Sequence, residues 1–136
     1  MPTPTEINDA IIAIAKKYEL MDANCAPFAF VLNKVLGGDG SYITADSGQY
    51  DDLVDHVALI FDDRIYDGDG FHSQQDFIDT WTAQGCDIFE EFFDISANGE
   101  YVRRLTDSAS VVKNLDEGAL EADLQAALEL RLVPTP

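Results

Sequence analysis

The sequence contains few basic residues. Eight Lys and Arg stand against 26 Asp and Glu, which leaves a formal net charge of −18 over 136 residues. Such a surface repels phosphate groups and anionic lipid headgroups, so we expect neither nucleic acid nor a membrane as a partner. No apolar run approaches the ~20 residues of a membrane-spanning helix. No basic start leads into an apolar stretch of the kind that directs secretion, so we expect a cytoplasmic protein.

Cysteine and histidine are also scarce, with two of each. Two cysteines cannot build a disulfide framework, so we expect Cys25 and Cys86 to be reduced and Cys86 to be structural. The cysteines and histidines are too scattered for a zinc-binding spacing. A phosphate-binding loop and a dinucleotide fingerprint are both missing from the sequence. We therefore expect no metal and no cofactor.

The apolar content is ordinary for a globular protein. Hydrophobic residues make up 46% of the chain, and the length suits one domain spanning residues 1–136. The acidity has two interpretations. Asp outnumbers Glu by 18 to 8 and there are four Lys, which fits adaptation to a salty habitat. The alternative is an acidic surface that blocks a basic protein partner, as in a viral or mobile-element accessory protein. The spread of the acids along the chain favours the first.

Helical periodicity marks four segments. The first segment follows Thr5. The other three run from Cys25 to Leu36, from Gln74 to Ala83, and from Glu117 to Leu132. Ser73 is the expected N-cap of the third helix, whose residues Phe77, Ile78 and Trp81 we expect to be buried. The last helix carries leucines at a spacing of four, which predicts a core-facing ridge.

Strand patterns occupy the middle of the chain. His56–Phe61 is almost wholly apolar, and Asp62-Asp63 connects it to Arg64–Asp67, which predicts a β-hairpin. With Phe61 opposite Arg64, His56 lies opposite Asp69 and diagonal to Asp67, so that either carboxylate could reach the imidazole. Further strands are expected at residues 41–45 and 99–105. Residues 87–96 fit either a strand or a helix.

The placement of Cys25, His56 and Asp67 suits thiol chemistry. Cys25 begins a predicted helix, whose N-terminus favours a thiolate and offers N–H groups to an oxyanion. His56 opens the strongest strand, and Asp67 ends its partner. A histidine that activates a thiol needs an orienting acceptor on its second nitrogen. Asp69 is the alternative acceptor, and His72 is a weaker candidate base.

These segments resemble the papain-like cysteine hydrolases. Asn24-Cys25-Ala-Pro-Phe-Ala-Phe is similar to the nucleophile helix of that family. His56-Val-Ala-Leu-Ile-Phe with Arg64-Ile-Tyr-Asp67-Gly-Asp-Gly is similar to its histidine strand and following strand. Transglutaminase-like and cell-wall peptidase branches share this Cys–His–Asp order. The resemblance covers about residues 22–70.

The resemblance implies an α+β fold in which N-terminal helices, including the nucleophile helix, pack on a small antiparallel sheet. It implies a cysteine hydrolase or acyltransferase that acts on an amide, peptide or thioester bond through a Cys25–His56–Asp67 triad. The partner would be a peptide or protein substrate. In the family, a Gln upstream of the nucleophile assists the oxyanion, and Asn24 or the Cys25 N–H is the nearest equivalent here. A non-catalytic interaction protein and an inactive papain-like accessory domain remain the alternatives.

Overall fold

The computed structural model describes residues 2–18, 25–48, 56–91 and 116–132. These ranges form a mixed α+β structure with four helices and one five-stranded antiparallel sheet. The helices are α1 (Pro4–Tyr18), α2 (Cys25–Val35), α3 (Gln74–Thr82) and α4 (Glu117–Leu132). The strands are β1 (Ser41–Asp46), β2 (His56–Phe61), β3 (Arg64–Asp67), β4 (Gly70–His72) and β5 (Asp87–Glu91). The strand expected at residues 99–105 lies outside the described residues.

The sheet has the strand order β4-β3-β2-β1-β5, with β2 at its centre. The predicted register of the β2–β3 hairpin is confirmed, since Phe61 lies opposite Arg64 and Leu59 opposite Tyr66. Both turn residues have positive φ, 51° at Asp62 and 61° at Asp63. Positive φ at both central positions is the requirement of a type I′ turn, whose twist matches that of the strands. The turn therefore tolerates Asp-Asp because aspartate accepts the left-handed region better than most residues.

The two faces of the sheet carry separate apolar clusters. Alternate residues of β2 and their neighbours pack under α1, α2 and α4, whereas the intervening residues pack with Phe77 of α3. All six β2 residues are buried, as expected for a strand covered on both faces. Within the helical layer, the ridge of α4 is buried as predicted at Leu120, Leu124 and Leu128. On α3, Phe77 is buried but Ile78 and Trp81 are only half-buried, because one turn of this short helix covers the sheet.

Helix α1 begins at Pro4, two residues earlier than the pattern after Thr5 suggests. Thr3 is its cap: the Glu6 N–H donates to Thr3 Oγ1 over 3.2 Å, and the Thr3 N–H donates to Glu6 Oε1 over 2.8 Å. This reciprocal pair is a capping box, with Pro4 at the first helical position. The predicted cap of α3 is confirmed, since Ser73 accepts a hydrogen bond from the Asp76 N–H.

Strand β4 was not expected from the sequence. It pairs with β3 through Ile65 and His72, and α1 holds it in place because the Phe71 N–H donates to Asn8 Oδ1 over 2.8 Å. Residues 87–91, for which helix and strand were both open, form the edge strand β5. No helix in the described ranges combines the length and apolarity that a bilayer crossing requires.

Candidate active site

Cys25 is the first residue of α2, as predicted. The first backbone N–H groups of a helix lack intrahelical acceptors, and the helix dipole places partial positive charge there. The Cys25 side chain is 8% exposed and belongs to the cluster between the sheet and helices α1, α2 and α4. The thiol therefore lies at a polar helix end with apolar surroundings on its other sides.

His56 and Asp67 lie on the sheet face that α3 covers. Each is two residues from a strand neighbour on that face, Ala58 for His56 and Ile65 for Asp67. His56 Nε2 and Asp67 Oδ2 are 2.9 Å apart, and the two residues are 0% and 2% exposed. Of the two carboxylates that the register left open, Asp67 contacts the imidazole. Asp69 is exposed, and its backbone N–H donates to Asp67 Oδ1 over 2.9 Å.

The second ring nitrogen of His56 faces away from Asp67. Among the described residues, no hydrogen bond of good geometry reaches Nδ1, although this atom is buried. The Cys25 thiol nevertheless acts on the ring. Burial alone would lower the pKa of His56, but its hydrogen bond with Asp67 and its interaction with Cys25 outweigh burial and raise the pKa from 6.5 to about 9. The thiol thus lies within electrostatic reach of the imidazole without being aligned for a hydrogen bond. Catalytic hydrogen bonds are often poorly aligned before substrate binds.

The Asp67 carboxylate is held by two imidazoles. His72 Nε2 lies 2.8 Å from Asp67 Oδ1, opposite the oxygen that contacts His56. Burial would raise the pKa of Asp67, but the hydrogen bonds from His56 and His72 dominate and lower it from 3.8 to about 2. The carboxylate is therefore ionised at neutral pH and acts as an acceptor only, so each histidine presents an Nε2–H to it.

The indole of Trp81 stacks on the His56 imidazole. The ring centroids are 4.5 Å apart with an interplanar angle of 15°, and Phe77 lies at 5.9 Å. This contact excludes water from one face of the imidazole and limits its rotation. The role of Trp81 beside His56 was not predicted, because the helical pattern of α3 indicated only that it would pack in the core.

A cavity of about 190 Å³ opens beside Asp67. It is lined by Asp67, Asp69, His72, Phe77, Thr80, Trp81 and Gln84. The cavity shares Asp67 with the Cys25–His56–Asp67 group, but neither Cys25 nor His56 lines it. It is thus adjacent to the candidate nucleophile rather than built around it.

Of the three residues that the sequence indicated, His56 and Asp67 are in hydrogen-bond contact, and Cys25 at the start of α2 helps to raise the pKa of His56. The structure adds His72 as a second partner of Asp67. Asn24, the candidate oxyanion donor, lies outside the described residues. Cys86 is buried and, like Cys25, forms no disulfide. Within the part of the chain that the structure describes, no group of three or more His, Cys, Asp or Glu has the arrangement of a metal site.

Comparison with known proteins gives the chain no relative. No protein-family model, no curated protein and no solved structure matches it. The site is therefore described by its own geometry, as a buried histidine–aspartate pair near a thiol at a helix N-terminus.

Proposed function

We propose that this chain is a small papain-like cysteine hydrolase or acyltransferase that acts on an amide, peptide or thioester bond. Cys25 is the nucleophile, His56 the base and acid, and Asp67 the orienting carboxylate. One observation carries the proposal: a fully buried imidazole bonds a carboxylate through Nε2 while its Nδ1 is left unpartnered by the described residues, within reach of the Cys25 thiol.

The charges of the site support this assignment. A pKa of about 9 keeps His56 protonated at neutral pH, and Asp67 beside it is ionised. Catalytic cysteines act as the thiolate of a thiolate–imidazolium pair, in which the imidazolium later donates its proton to the leaving group.

In the proposed reaction the Cys25 thiolate attacks the carbonyl carbon of the substrate. A C–S bond forms and the carbonyl electron pair moves to oxygen, where the N–H groups at the start of α2 stabilise the charge. The intermediate then collapses: the bond to the leaving nitrogen or sulfur breaks, and His56 donates its proton to that atom. Water or an acceptor amine attacks the resulting thioester, His56 accepts its proton, and the Cys25 thiolate leaves.

The resemblance to papain-like enzymes supports the same assignment. That family places its nucleophile at the start of a helix packed on an antiparallel sheet, with histidine and then aspartate on adjacent strands. Here α2 packs on the sheet, and β2 and β3 carry His56 and Asp67 in that order. We propose a peptide or protein substrate on the same basis, and a cytoplasmic location for the reaction.

The test is the rate at which iodoacetamide alkylates each cysteine near neutral pH. Trypsin separates the two thiols, with Cys25 in peptide 18–34 and Cys86 in peptide 65–103. We expect Cys25 to react faster than Cys86, and His56→Gln to slow Cys25 about tenfold or more, since an ordinary thiol is only a few per cent thiolate near pH 7.

Cys86 is the internal control, because His56→Gln should leave its alkylation rate unchanged. Equal rates for the two thiols, with no effect of His56→Gln, would contradict the enzyme. That outcome would favour an inactive papain-like accessory domain or an acidic protein that blocks a basic partner. The latter predicts salt-sensitive binding to a basic protein that survives Cys25→Ala.

A further inference from the structure

Asp67 accepts more hydrogen bonds than the orientation of one histidine requires. Its Oδ2 contacts His56 Nε2 at 2.9 Å, and its Oδ1 accepts from His72 Nε2 at 2.8 Å and from the Asp69 N–H at 2.9 Å. The carboxylate is 2% exposed, and His72 and Asp69 lie beside it in the lining of the cavity described above. Rotation of the carboxylate would break all three contacts together.

His72 is well placed to prevent that rotation. It ends β4, where it lies opposite Ile65 of β3, and its side chain is 29% exposed. Strand β4 is in turn tied to α1, because Asn8 accepts the Phe71 N–H. The histidine therefore approaches Asp67 from a strand that pairs with β3 and is bonded to Asn8 of α1. It contacts the carboxylate oxygen that His56 does not contact.

We propose that His72 is a positioning residue of this site: by donating to Oδ1 it holds the Asp67 carboxylate so that Oδ2 stays directed at His56. His72 does not touch the thiol and acts only through Asp67. The effect of His72 on Asp67 stands on the hydrogen bonds alone. Its effect on Cys25 rests on the proposed function.

His72→Gln and His72→Asn test whether His72 acts through its hydrogen bond to Asp67 or only by filling space, because the two side chains differ little in size. The amide nitrogen of His72→Gln lies at about the reach of the imidazole Nε2 and can donate to Oδ1. The amide of His72→Asn is shorter and corresponds in reach to Nδ1, so it cannot. Gln74→Ala is the control on the same segment, because Gln74 donates to the Asp63 carbonyl and makes no contact with Asp67.

The first measurement is the NMR signal of the His56 Nε2–H in a long-range nitrogen–proton correlation. The sequence has two histidines, so each variant at His72 assigns the remaining imidazole directly. We expect a proton protected from exchange in the native chain, in His72→Gln and in Gln74→Ala. In His72→Asn we expect exchange with solvent to broaden or remove it.

The second measurement is the alkylation rate of Cys25 in the same variants, with Cys86 as the internal control. We expect a severalfold loss in His72→Asn and near-native rates in His72→Gln and Gln74→Ala. An unchanged His56 proton in His72→Asn, or the same loss in Gln as in Asn, would overturn the proposal. Loss of the His56 proton without any change at Cys25 would support positioning by His72 and contradict the proposed function.

Discussion

Asp67 keeps its charge in a buried position because three donors share it. An isolated carboxylate there would be costly, and the two imidazoles and one backbone N–H offset that cost. When His56 is neutral, the arrangement also fixes its tautomer, because Nε2–H donates to Asp67. The position of the acceptor thus determines that Nδ1 is the ring nitrogen left free of Asp67.

The same pair links stability to pH. The pKa of His56 is raised to about 9, so its contribution to stability is complete below about pH 6.5 and is lost as the pH rises through about 9. The pKa of Asp67 is lowered to about 2, so its contribution is complete above about pH 3.8 and is lost as the pH falls through about 2. The pair stabilises the fold most between these limits.

We predict that Asp67→Asn lowers the free energy of unfolding by roughly 1.5–3 kcal/mol at about pH 6, the range for a hydrogen bond to a charged group. The deficit should shrink at about pH 9.5, where His56 in the native chain has lost most of its charge. Urea denaturation at both pH values measures it. Asp69→Asn is the matched control, since it removes an exposed carboxylate that does not contact His56. A deficit that does not change with pH would show that charge is not involved.

At this scale the sequence predicted the helix start at Cys25 and the closeness of His56 and Asp67, but not their full environment. Cys25, His56 and Asp67 were recognisable because the start of a helix and the ends of two paired strands are visible in the pattern. The contact of His72 with Asp67 depends on β4, which has three residues and no periodic signal of its own. The stacking of Trp81 on His56 depends on how α3 crosses the sheet, which helical periodicity cannot specify.

Among the elements, the β2–β3 hairpin could be predicted in register because a two-residue connection leaves little freedom between strong strands. The spacing of Thr3 and Glu6 also matches a capping box, although the apolar pattern alone suggests a start after Thr5. Strand β4 and its attachment to α1 could not be predicted. The Asn8–Phe71 hydrogen bond joins residues 63 positions apart, and nothing local indicates it.

Gly70 is the position where β4 depends most on glycine. Its φ is 102°, and a Cβ there would lie 2.1 Å from Asn8 Oδ1, the atom that accepts the Phe71 N–H. We predict that Gly70→Ala destabilises the protein by roughly 2 kcal/mol or more, because backbone strain and the loss of a hydrogen bond combine. Chemical denaturation gives the size of the effect.

Gly37→Ala provides the comparison. Gly37 has a φ of 107°, close to that of Gly70, but a Cβ there would meet nothing within 4 Å. Gly37→Ala should therefore show the cost of backbone strain alone, with a smaller loss of stability than Gly70→Ala. Equal losses in the two variants would mean that the attachment of β4 to Asn8 contributes little to stability.

The whole molecule carries a charge of −18 on 136 residues. Charge of one sign at this density repels itself in the compact state, and added salt screens the repulsion. A few local pairs relieve it within the described ranges, for example Lys17 with Asp123 between α1 and α4 and Lys34 with Glu121 between α2 and α4. Both lysines are mostly exposed, so these contacts contribute little on their own.

We predict that the melting temperature rises with NaCl between about 0.01 and about 1 M, as the Debye length falls from ~30 to ~3 Å. Thermal unfolding followed by circular dichroism measures the shift, and KCl should act like NaCl if screening is the cause. A melting temperature that stays flat or falls would indicate that the acidic side chains are not destabilising in dilute salt. The acidity would then be better explained by a basic partner than by a salty habitat.

At the level of the chain, the class of fold was predicted from the resemblance to the papain-like hydrolases. The mixed α+β architecture with an antiparallel sheet agrees with the expectation. Helices α1, α2 and α3 pack on the sheet, and α4 packs on α1 and α2. Edge strand β5 was ambiguous because Asp87–Glu91 mixes acidic and apolar residues without a clear period. The segment forms a strand because it pairs with β1, and this tertiary contact is not visible in the local sequence.

The central claim is that Cys25, His56 and Asp67 act as one unit, and a double-mutant cycle tests it most directly. Iodoacetamide alkylation of Cys25 would be timed in the native chain, His56→Gln, Asp67→Asn and the double variant, with Cys86 as the internal reference. If Asp67 acts only through His56, the double variant should react no more slowly than His56→Gln alone. Additive losses, or no loss in either single variant, would contradict the triad.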